Sequence, residues 1–118
     1  MKKSEKGDLL RGTLEMLILQ TLRREAMHGY AITEAIERIS DEVLKVGEGS
    51  MYPALYRMEK RGWIKSYKAR SENNRIAKFY QLTAKGHRHL RGASQRWKDF
   101  SRAVDAVMRE DAAEEKAP

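Results

Sequence analysis

Basic and amide side chains are concentrated in two short runs that have the composition of β-strands. Trp63–Arg70 and Arg75–Leu82 carry aromatic and β-branched residues towards their outer ends, and the polar residues 71–74, Ser-Glu-Asn-Asn, join them. The side chains nearest this turn are too polar for a core; they are Lys68, Arg70, Asn73, Asn74, Arg75 and Lys78. Cations and hydrogen-bond donors at this spacing can contact successive phosphates of a polyanion. We therefore predict a β-hairpin that contacts the backbone of a nucleic acid.

A helical pattern directly precedes the hairpin. Met51, Leu55 and Met58 recur at i, i+4 and i+7, so these side chains are predicted to face the core. The remaining side chains form an outer face of polar and aromatic groups: Ser50, Tyr52, Pro53, Tyr56, Arg57 and Lys60. Such a face can read base edges, because arginine pairs bidentately with guanine, serine bonds to either type of base, and a tyrosine or proline can touch a thymine methyl group. The arginine could equally contact phosphate alone, and both tyrosines could be ordinary surface aromatics.

The sequence also indicates where this helix begins and ends. We predict a start near Gly49 or Ser50, with Gly49 as N-cap, because Pro53 is tolerated best in a first turn, where its missing N–H matters least. Arg61-Gly62 predicts the end, since glycine accepts the left-handed conformation that stops a helix.

Two earlier helices are predicted to position this face. The apolar residues within Leu10–Leu22 fall on one helical stripe, and Ile32–Ile39 begins a second stripe after a break at Ala26–Gly29. Val43–Val46 is predicted as a short strand. Three helices followed by a basic hairpin indicate a mainly α-helical winged helix-turn-helix, in which the third helix enters the major groove and the hairpin reaches neighbouring DNA.

A long last helix follows, and Thr83 is predicted to cap it before it runs to about Arg109. Apolar residues recur along it every seven positions and form a seam: Leu90, Ala93, Trp97, Phe100, Val104 and Val107. A seam of nearly three heptads is typical of helices that pair, so we predict a homodimer formed through this helix, although the seam could pack on its own domain. Trp97 is expected in the core or the interface; across a two-fold axis it would form a flat aromatic slot.

The distribution of charge supports a polyanion partner. The chain carries a net charge of +7, but residues 61–102 alone hold twelve Lys/Arg against two acidic residues. A cationic block of this kind is typical of proteins that bind double-stranded DNA. The alternative is a solvated basic face that serves solubility, in which both signs would normally be interspersed.

The sequence gives little support for catalysis. There is no cysteine, so no disulfide and no thiolate metal site is possible. His87 and His89 are two positions apart on a helix and cannot share a metal, and His28 is expected to make a helix-terminus hydrogen bond. No serine has a recognisable His/Asp partner and no glycine-rich phosphate loop occurs, so we expect neither an enzyme nor a cofactor.

The sequence also predicts where the protein resides and how the chain divides into domains. The first residues lack the apolar region of a signal peptide and the longest fully apolar run, Met16–Leu19, is far too short to span a membrane, so a cytoplasmic protein is expected. We divide the chain into an N-terminal arm (1–8), a winged helix-turn-helix DNA-binding domain (9–82), a C-terminal dimerisation helix (83–109) and an acidic flexible tail (110–118).

Four segments of the chain match the pattern of a known family. They are LLRGTLEMLIL (residues 9–19), HGYAI (28–32), EGSMYPALYRMEKRGWI (48–64) and KFYQLTAKG (78–86). These segments resemble the PadR-like transcriptional regulators, in the short subgroup with a single C-terminal helix. The resemblance implies a homodimeric winged-helix repressor whose third helix reads the major groove and whose last helix, with help from the first, forms the dimer.

The resemblance also implies regulation by small molecules, which are phenolic acids in some members and flat cationic or aromatic drugs in others. In the drug-binding members a tryptophan of the C-terminal helix stacks on the ligand, and Trp97 stands at the matching place. Met16 matches a pore-lining position of the first helix. The residue one turn after the tryptophan is acidic in those members but is Ser101 here, so no preference for cationic drugs follows.

The hairpin departs from the family pattern as well. A run of arginines usually precedes its Lys-Tyr-Tyr, whereas Arg75–Tyr80 carries fewer charges, so weaker contacts between the hairpin and DNA are expected. We predict a sequence-specific regulator, a dimeric repressor that a small-molecule effector relieves. Two alternatives stay open: a protein-interaction module that uses the winged helix as a scaffold, and a protein that binds nucleic acid without sequence preference.

Overall fold

A computed structural model describes the backbone of residues 3–116 and the side chains of residues 11–110. The described residues form four helices and a small antiparallel sheet, which confirms the predicted fold class. In chain order the elements are α1 (Lys3–Leu22), β1 (Met27–His28), α2 (Gly29–Ile39), α3 (Glu48–Lys60), β2 (Ile64–Arg70), β3 (Ile76–Leu82) and α4 (Ala84–Lys116). We call β2, β3 and the turn between them the wing.

The sheet has three strands in the order β1-β3-β2. Strand β1 was not predicted, because two residues are too few to produce an alternating pattern. The strand predicted at Val43–Val46 is wrong. Asp41 and Glu42 have φ angles of +56° and +65°, and the Val43 N–H donates to the Ser40 carbonyl at 3.0 Å, so this connection turns tightly instead of extending.

The core lies where α1, α2 and α3 meet the base of the wing and the start of α4. Its buried members include the three predicted side chains of α3; they are Ile18, Leu19, Leu22, Ile32, Ile36, Met51, Ala54, Leu55, Met58, Ile64, Tyr80 and Leu90. The helical stripes predicted for the first three helices therefore face one another, and the sheet closes the core from the side of the wing.

Helix α3 begins earlier than predicted. Gly47 is the N-cap, and its carbonyl accepts from the N–H groups of Ser50 at 3.1 Å and Met51 at 3.0 Å. The prediction that Gly49 caps the helix and that Pro53 lies in its first turn is therefore wrong. Pro53 lies inside the helix and is exposed, so the carbonyl that loses its N–H partner lies where water can reach it.

Helix α4 is longer than predicted and extends beyond the core. It continues through Arg109 to Lys116, so the backbone of 110–116, predicted as a flexible tail, is helical. Likewise α1 begins at Lys3, inside the predicted arm; residues 1–2 and 117–118 lie outside the described residues. Of the predicted seam, Leu90 is buried and Ala93 is half-buried; the exposed members are Trp97, Phe100, Val104 and Val107. None of the helices in the described part of the chain has the length and apolar content needed to cross a membrane.

Candidate nucleic-acid interface and ligand cleft

The outer face of α3 presents hydrogen-bonding and aromatic groups to solvent. The buried residues of α3 lie opposite it, and Tyr56 is 63% exposed. The other predicted base-reading residues on this exposed face are Ser50, Tyr52, Pro53 and Lys60. Lys60 Nζ lies 5.4 Å from the centre of the Tyr56 ring, which brings a cation and an aromatic face together at the C-terminal half of the helix.

Tyr52 also has a structural contact with α2. A Cβ atom placed on Gly29 would lie 2.8 Å from Tyr52 Cε1 and 2.9 Å from its hydroxyl oxygen. The absence of a side chain at Gly29 therefore lets the tyrosine ring cover the first residue of α2. This contact fixes α3 against α2 while leaving Tyr52 nearly half exposed.

Arg57 lies at the edge of α3 that faces α1, where it makes an ion pair. Its Nε donates to Glu15 Oε2 at 3.2 Å, and Arg61 Nη1 lies 3.6 Å from Glu15 Oε1. Glu15 is 8% exposed. Sequence reasoning missed Glu15, although a carboxylate between Leu14 and Ile18 on an apolar stripe is a signal that it must have a cationic partner.

The wing is fixed to α3 through a second carboxylate. Glu59 Oε2 accepts a 2.7 Å hydrogen bond from Ser66 Oγ, and its Oε1 lies 3.6 Å from Lys78 Nζ. Lys68 is directly opposite Lys78 in the strand register. Ser66, Lys68 and Lys78 thus lie on one face of the wing, the face that adjoins α3.

The tip of the wing is organised by two of the residues predicted to bind DNA. Arg70 Nη1 donates to the Asn74 carbonyl at 3.1 Å, and Asn74 has a φ angle of +60°. The Ser71 N–H donates to the Arg75 carbonyl at 2.8 Å and closes the turn. Arg70 and Asn74 therefore shape the tip, and Asn73 and Arg75 are exposed on it.

On the other face of the wing, Tyr67 and Phe79 form an aromatic cluster with His28, the N-cap residue of α2. Tyr67 and Phe79 are stacked with ring centres 5.8 Å apart, and His28 meets Phe79 edge-on at 5.3 Å. His28 Nδ1 accepts a 3.2 Å hydrogen bond from the Ala31 N–H, which confirms the expected role of His28 at a helix terminus. This contact ties the position of the wing to α2.

Helix α4 starts in direct contact with the backbone beneath it. Thr83 Oγ1 accepts from the Gly86 N–H at 3.0 Å, which confirms Thr83 as the cap, and donates to the Gly62 carbonyl at 2.6 Å. A Cβ on Gly86 would lie only 2.0 Å from the Trp63 carbonyl oxygen. Only glycine permits this approach, so the direction in which α4 leaves the domain is fixed.

The two residues predicted to bind an effector line one cleft between α1 and α4, which we call the α1–α4 cleft. Its volume is about 340 Å³. It is lined by Gly12, Thr13, Glu15, Met16, His89, Ala93, Arg96, Trp97 and Phe100. The rings of Trp97 and Phe100 are 6.0 Å apart and tilted by 40°, so they form an open aromatic wall. Flat apolar molecules fit walls of this kind.

His89, one of the residues that line this cleft, stacks on Trp63. The rings of Trp63 and His89 are 3.7 Å apart and nearly parallel. Burial lowers the pKa of His89 below its ordinary value; the neighbouring Arg96 and Arg61 cations lower it further, and Glu15 opposes them. The imidazole is therefore held in its neutral form at pH 7.

Proteins of known structure resemble this chain in both sequence and fold. A PadR-like transcriptional regulator from Bacillus cereus is 31% identical, with 86% of this chain and 96% of that chain covered and a TM-score of 0.74. A transcriptional regulator from Clostridium thermocellum is 28% identical over 84% of this chain and 96% of that chain, with a TM-score of 0.75. A PadR family regulator from Eggerthella lenta is 30% identical over 89% of each chain, with a TM-score of 0.69.

The family model described as the transcriptional regulator PadR-like family matches residues 18–92. That segment contains α2, α3, the wing and the start of α4, which are the elements that carry the surface described above. The chain belongs to the PadR-like family of transcriptional regulators.

Proposed function

We propose that the protein is a homodimeric transcriptional repressor that binds operator DNA through α3 and the wing and releases it when an aromatic molecule enters the α1–α4 cleft. The observation that carries this proposal is the link made by Glu59. It joins the exposed face of α3 to the cationic face of the wing, so both meet a DNA duplex as one surface.

The outer face of α3 is the base-reading element of this proposal. Tyr56 and Lys60 are both exposed on it, and an α-helix fits the major groove. The wing supplies phosphate contacts through Lys68 and Arg75. Arg57 contributes a guanidinium whose orientation Glu15 fixes; since the contact uses Nε, the terminal nitrogens retain donors for a phosphate or a guanine.

Dimerisation is proposed to occur through the seam of α4. Phe100 is 58% exposed and Val107 is 68% exposed, although both lie on the row of heptad spacing that begins at Ala93. A second copy would cover these side chains. Two α3 helices would then approach successive major grooves of a pseudo-palindromic operator, roughly 34–36 Å apart.

Release by a ligand requires a difference in affinity between two states. A molecule in the α1–α4 cleft contacts Trp97 and Phe100, which also belong to the seam. If it binds more tightly to a dimer whose α3 helices have the wrong spacing, it lowers operator affinity in proportion to that preference.

A competition gel-shift experiment tests DNA recognition. Promoter fragments retained from the native genome are titrated with the purified protein in the presence of excess unrelated DNA, which a sequence-specific regulator withstands. Lys60→Ala and Arg75→Ala are each expected to weaken operator binding about tenfold, the cost of one good contact. Lys98→Ala, an exposed cation of α4, is the matched control. Loss of the complex to competitor DNA would favour non-specific binding.

Analytical ultracentrifugation tests the dimer. The wild type is expected to sediment as a dimer, and Phe100→Glu is expected to sediment as a monomer because a buried unpaired charge opposes association. Lys98→Glu changes charge on α4 without altering the seam and should leave the dimer intact. A monomeric wild type would favour the protein-interaction module instead.

A further inference from the structure

Glu15 lies between the α1–α4 cleft and α3, the helix proposed to read DNA. Glu15 is one of the residues that line the cleft. Its carboxylate accepts the hydrogen bond of Arg57 at 3.2 Å and lies 3.6 Å from Arg61. Arg57 belongs to α3 and Arg61 is its C-cap residue, so Glu15 joins the cleft to the C-terminal half of α3.

The two arginines are what makes a buried carboxylate stable at this position. The Glu15 side chain is only 10% exposed, and a carboxylate that has lost most of its water is stable only while its charge is paired. Any movement of Glu15 must therefore either carry Arg57 and Arg61 with it or break a charge-assisted hydrogen bond. Both responses alter α3.

The cleft side provides a means of moving Glu15. Glu15 and Met16 of α1 line the cleft together with Trp97 of α4, so a ligand that fills the cleft would lie next to Glu15 and replace the water there. Nearby His89 is held neutral by burial and by Arg96, and so it does not offer Glu15 a competing cation at neutral pH. A ligand in the cleft therefore acts directly on the pairing of Glu15 with Arg57 and Arg61.

We propose that Glu15 transmits occupancy of the α1–α4 cleft to α3 through its pairing with Arg57. In the empty cleft Glu15 holds the guanidinium in the orientation that contacts DNA. A ligand in the cleft shifts the carboxylate and releases that orientation, which lowers operator affinity. This inference rests on the proposed release of operator DNA by a ligand.

A double-mutant cycle tests the link without any ligand. Glu15→Gln keeps the shape of the side chain but removes its charge. It is expected to lower operator affinity about tenfold in the wild-type background, the effect of weakening one charge-assisted hydrogen bond, and less than about twofold in an Arg57→Gln background. Equal losses in both backgrounds would overturn the link. Thermal unfolding of each variant establishes that the protein is folded at the assay temperature.

A ligand experiment tests transmission itself, with 8-anilino-1-naphthalenesulfonate as an aromatic fluorescent probe. Binding of the probe to the cleft is measured as the part of its fluorescence increase that is lost in the Trp97→Ala variant. The probe is expected to lower wild-type operator affinity about tenfold, a typical allosteric coupling, and to leave Glu15→Gln within about twofold of its own ligand-free affinity. Probe affinity should be the same in both proteins within about threefold.

Glu59→Gln is the matched control for this experiment. It disrupts the carboxylate that holds the wing to α3 instead of the one that faces the cleft, so operator binding weakens but the effect of the probe is retained. An equal probe effect in wild type and Glu15→Gln would overturn transmission by Glu15 while leaving ligand release intact. A probe that occupies the cleft of the wild type without changing operator affinity would overturn both proposals.

Discussion

Lys68 and Lys78 lie directly opposite each other on the two strands of the wing. Like charges at opposed positions of an antiparallel pair are destabilising. Glu59 compensates part of this repulsion, because its Oε1 lies 3.6 Å from Lys78 Nζ, whereas no ion pair is found for Lys68 among the described residues. The free wing therefore has a charge arrangement that an anionic backbone would stabilise.

Replacement of Lys68 with alanine is expected to weaken DNA binding while slightly stabilising the free protein. The slope of log affinity against log salt concentration should fall in magnitude by about 0.9, the contribution of one phosphate contact, for operator and unrelated DNA alike. Filter-binding titrations over a range of salt concentrations measure this slope. Lys98→Ala should leave it unchanged, and an unaltered slope in Lys68→Ala would mean that this lysine contacts no phosphate.

Substitution of Gly29 with alanine is expected to destabilise the protein by about 1–3 kcal/mol, the cost of overpacking, because the new Cβ would overlap the Tyr52 ring. Urea unfolding at fixed protein concentration measures the loss. The double variant Gly29→Ala/Tyr52→Ala should lose less than the sum of the two single variants, since removal of the ring removes the overlap. Simple additivity of the two losses would contradict this contact.

Two other glycines are expected to respond in opposite directions to the same substitution. Gly86→Ala should destabilise the protein by roughly 3 kcal/mol, because its Cβ would overlap a backbone carbonyl that cannot rotate away. Gly12→Ala should stabilise it by roughly 0.5–1 kcal/mol, because alanine favours a helix and, apart from its chain neighbours and the local helix backbone, nothing described lies within 4 Å of the new Cβ. Thermal unfolding compares them directly, and a tolerated Gly86→Ala would mean that α4 is not held against Trp63.

Acidification is expected to destabilise the protein through His89. Burial lowers the pKa of His89 in the folded state, so the unfolded chain binds a proton more readily. This contribution to stability is complete well above the ordinary histidine pKa of about 6.5, and is lost as the pH falls from there towards the lower folded pKa. The difference in midpoint temperature between about pH 7.5 and pH 5.5 should be smaller in His89→Phe than in wild type. His87→Phe, at an exposed position of the same helix, is the control.

The helical parts of the fold were predictable because their signals are local. Met51, Leu55 and Met58 lie at a spacing that allows one buried face, and all three are buried. The helix boundaries were less predictable. Gly47 and Gly49 are both glycines and could each serve as the N-cap of α3, and the choice between them depends on the conformation of the preceding turn. Strand β1 forms by pairing with the distant strand β3, where His28 lies opposite Phe79, so its own two residues could not predict it.

The candidate site was only partly predictable for the same reason. The exposed residues of α3 and the wing follow from spacing and charge, and their contacts with DNA stay predictions. The pairing of Arg57 with Glu15 joins residues 42 positions apart. The position of Glu15 on an apolar stripe indicates that it needs a cationic partner, but which residue this is depends on how α1 packs against α3. The roles of Arg70 and Asn74 in shaping the wing tip likewise depend on a turn conformation that composition alone does not specify.

Because Gly86 packs directly against the Trp63 carbonyl, the start of α4 is held at a fixed angle to the domain, and the two move together as a rigid body. The 33 residues of α4 span about 50 Å at the usual helical rise. In the proposed dimer, a rotation of about 5° about the far end of α4 would move its start, and the DNA-binding domain attached there, by about 4 Å over that length. Such a displacement matters because both α3 helices of that dimer would have to fit successive major grooves of one duplex. An aromatic ligand in the α1–α4 cleft would therefore need to change the angle between the two α4 helices only slightly to place both α3 helices out of register with the grooves of the duplex.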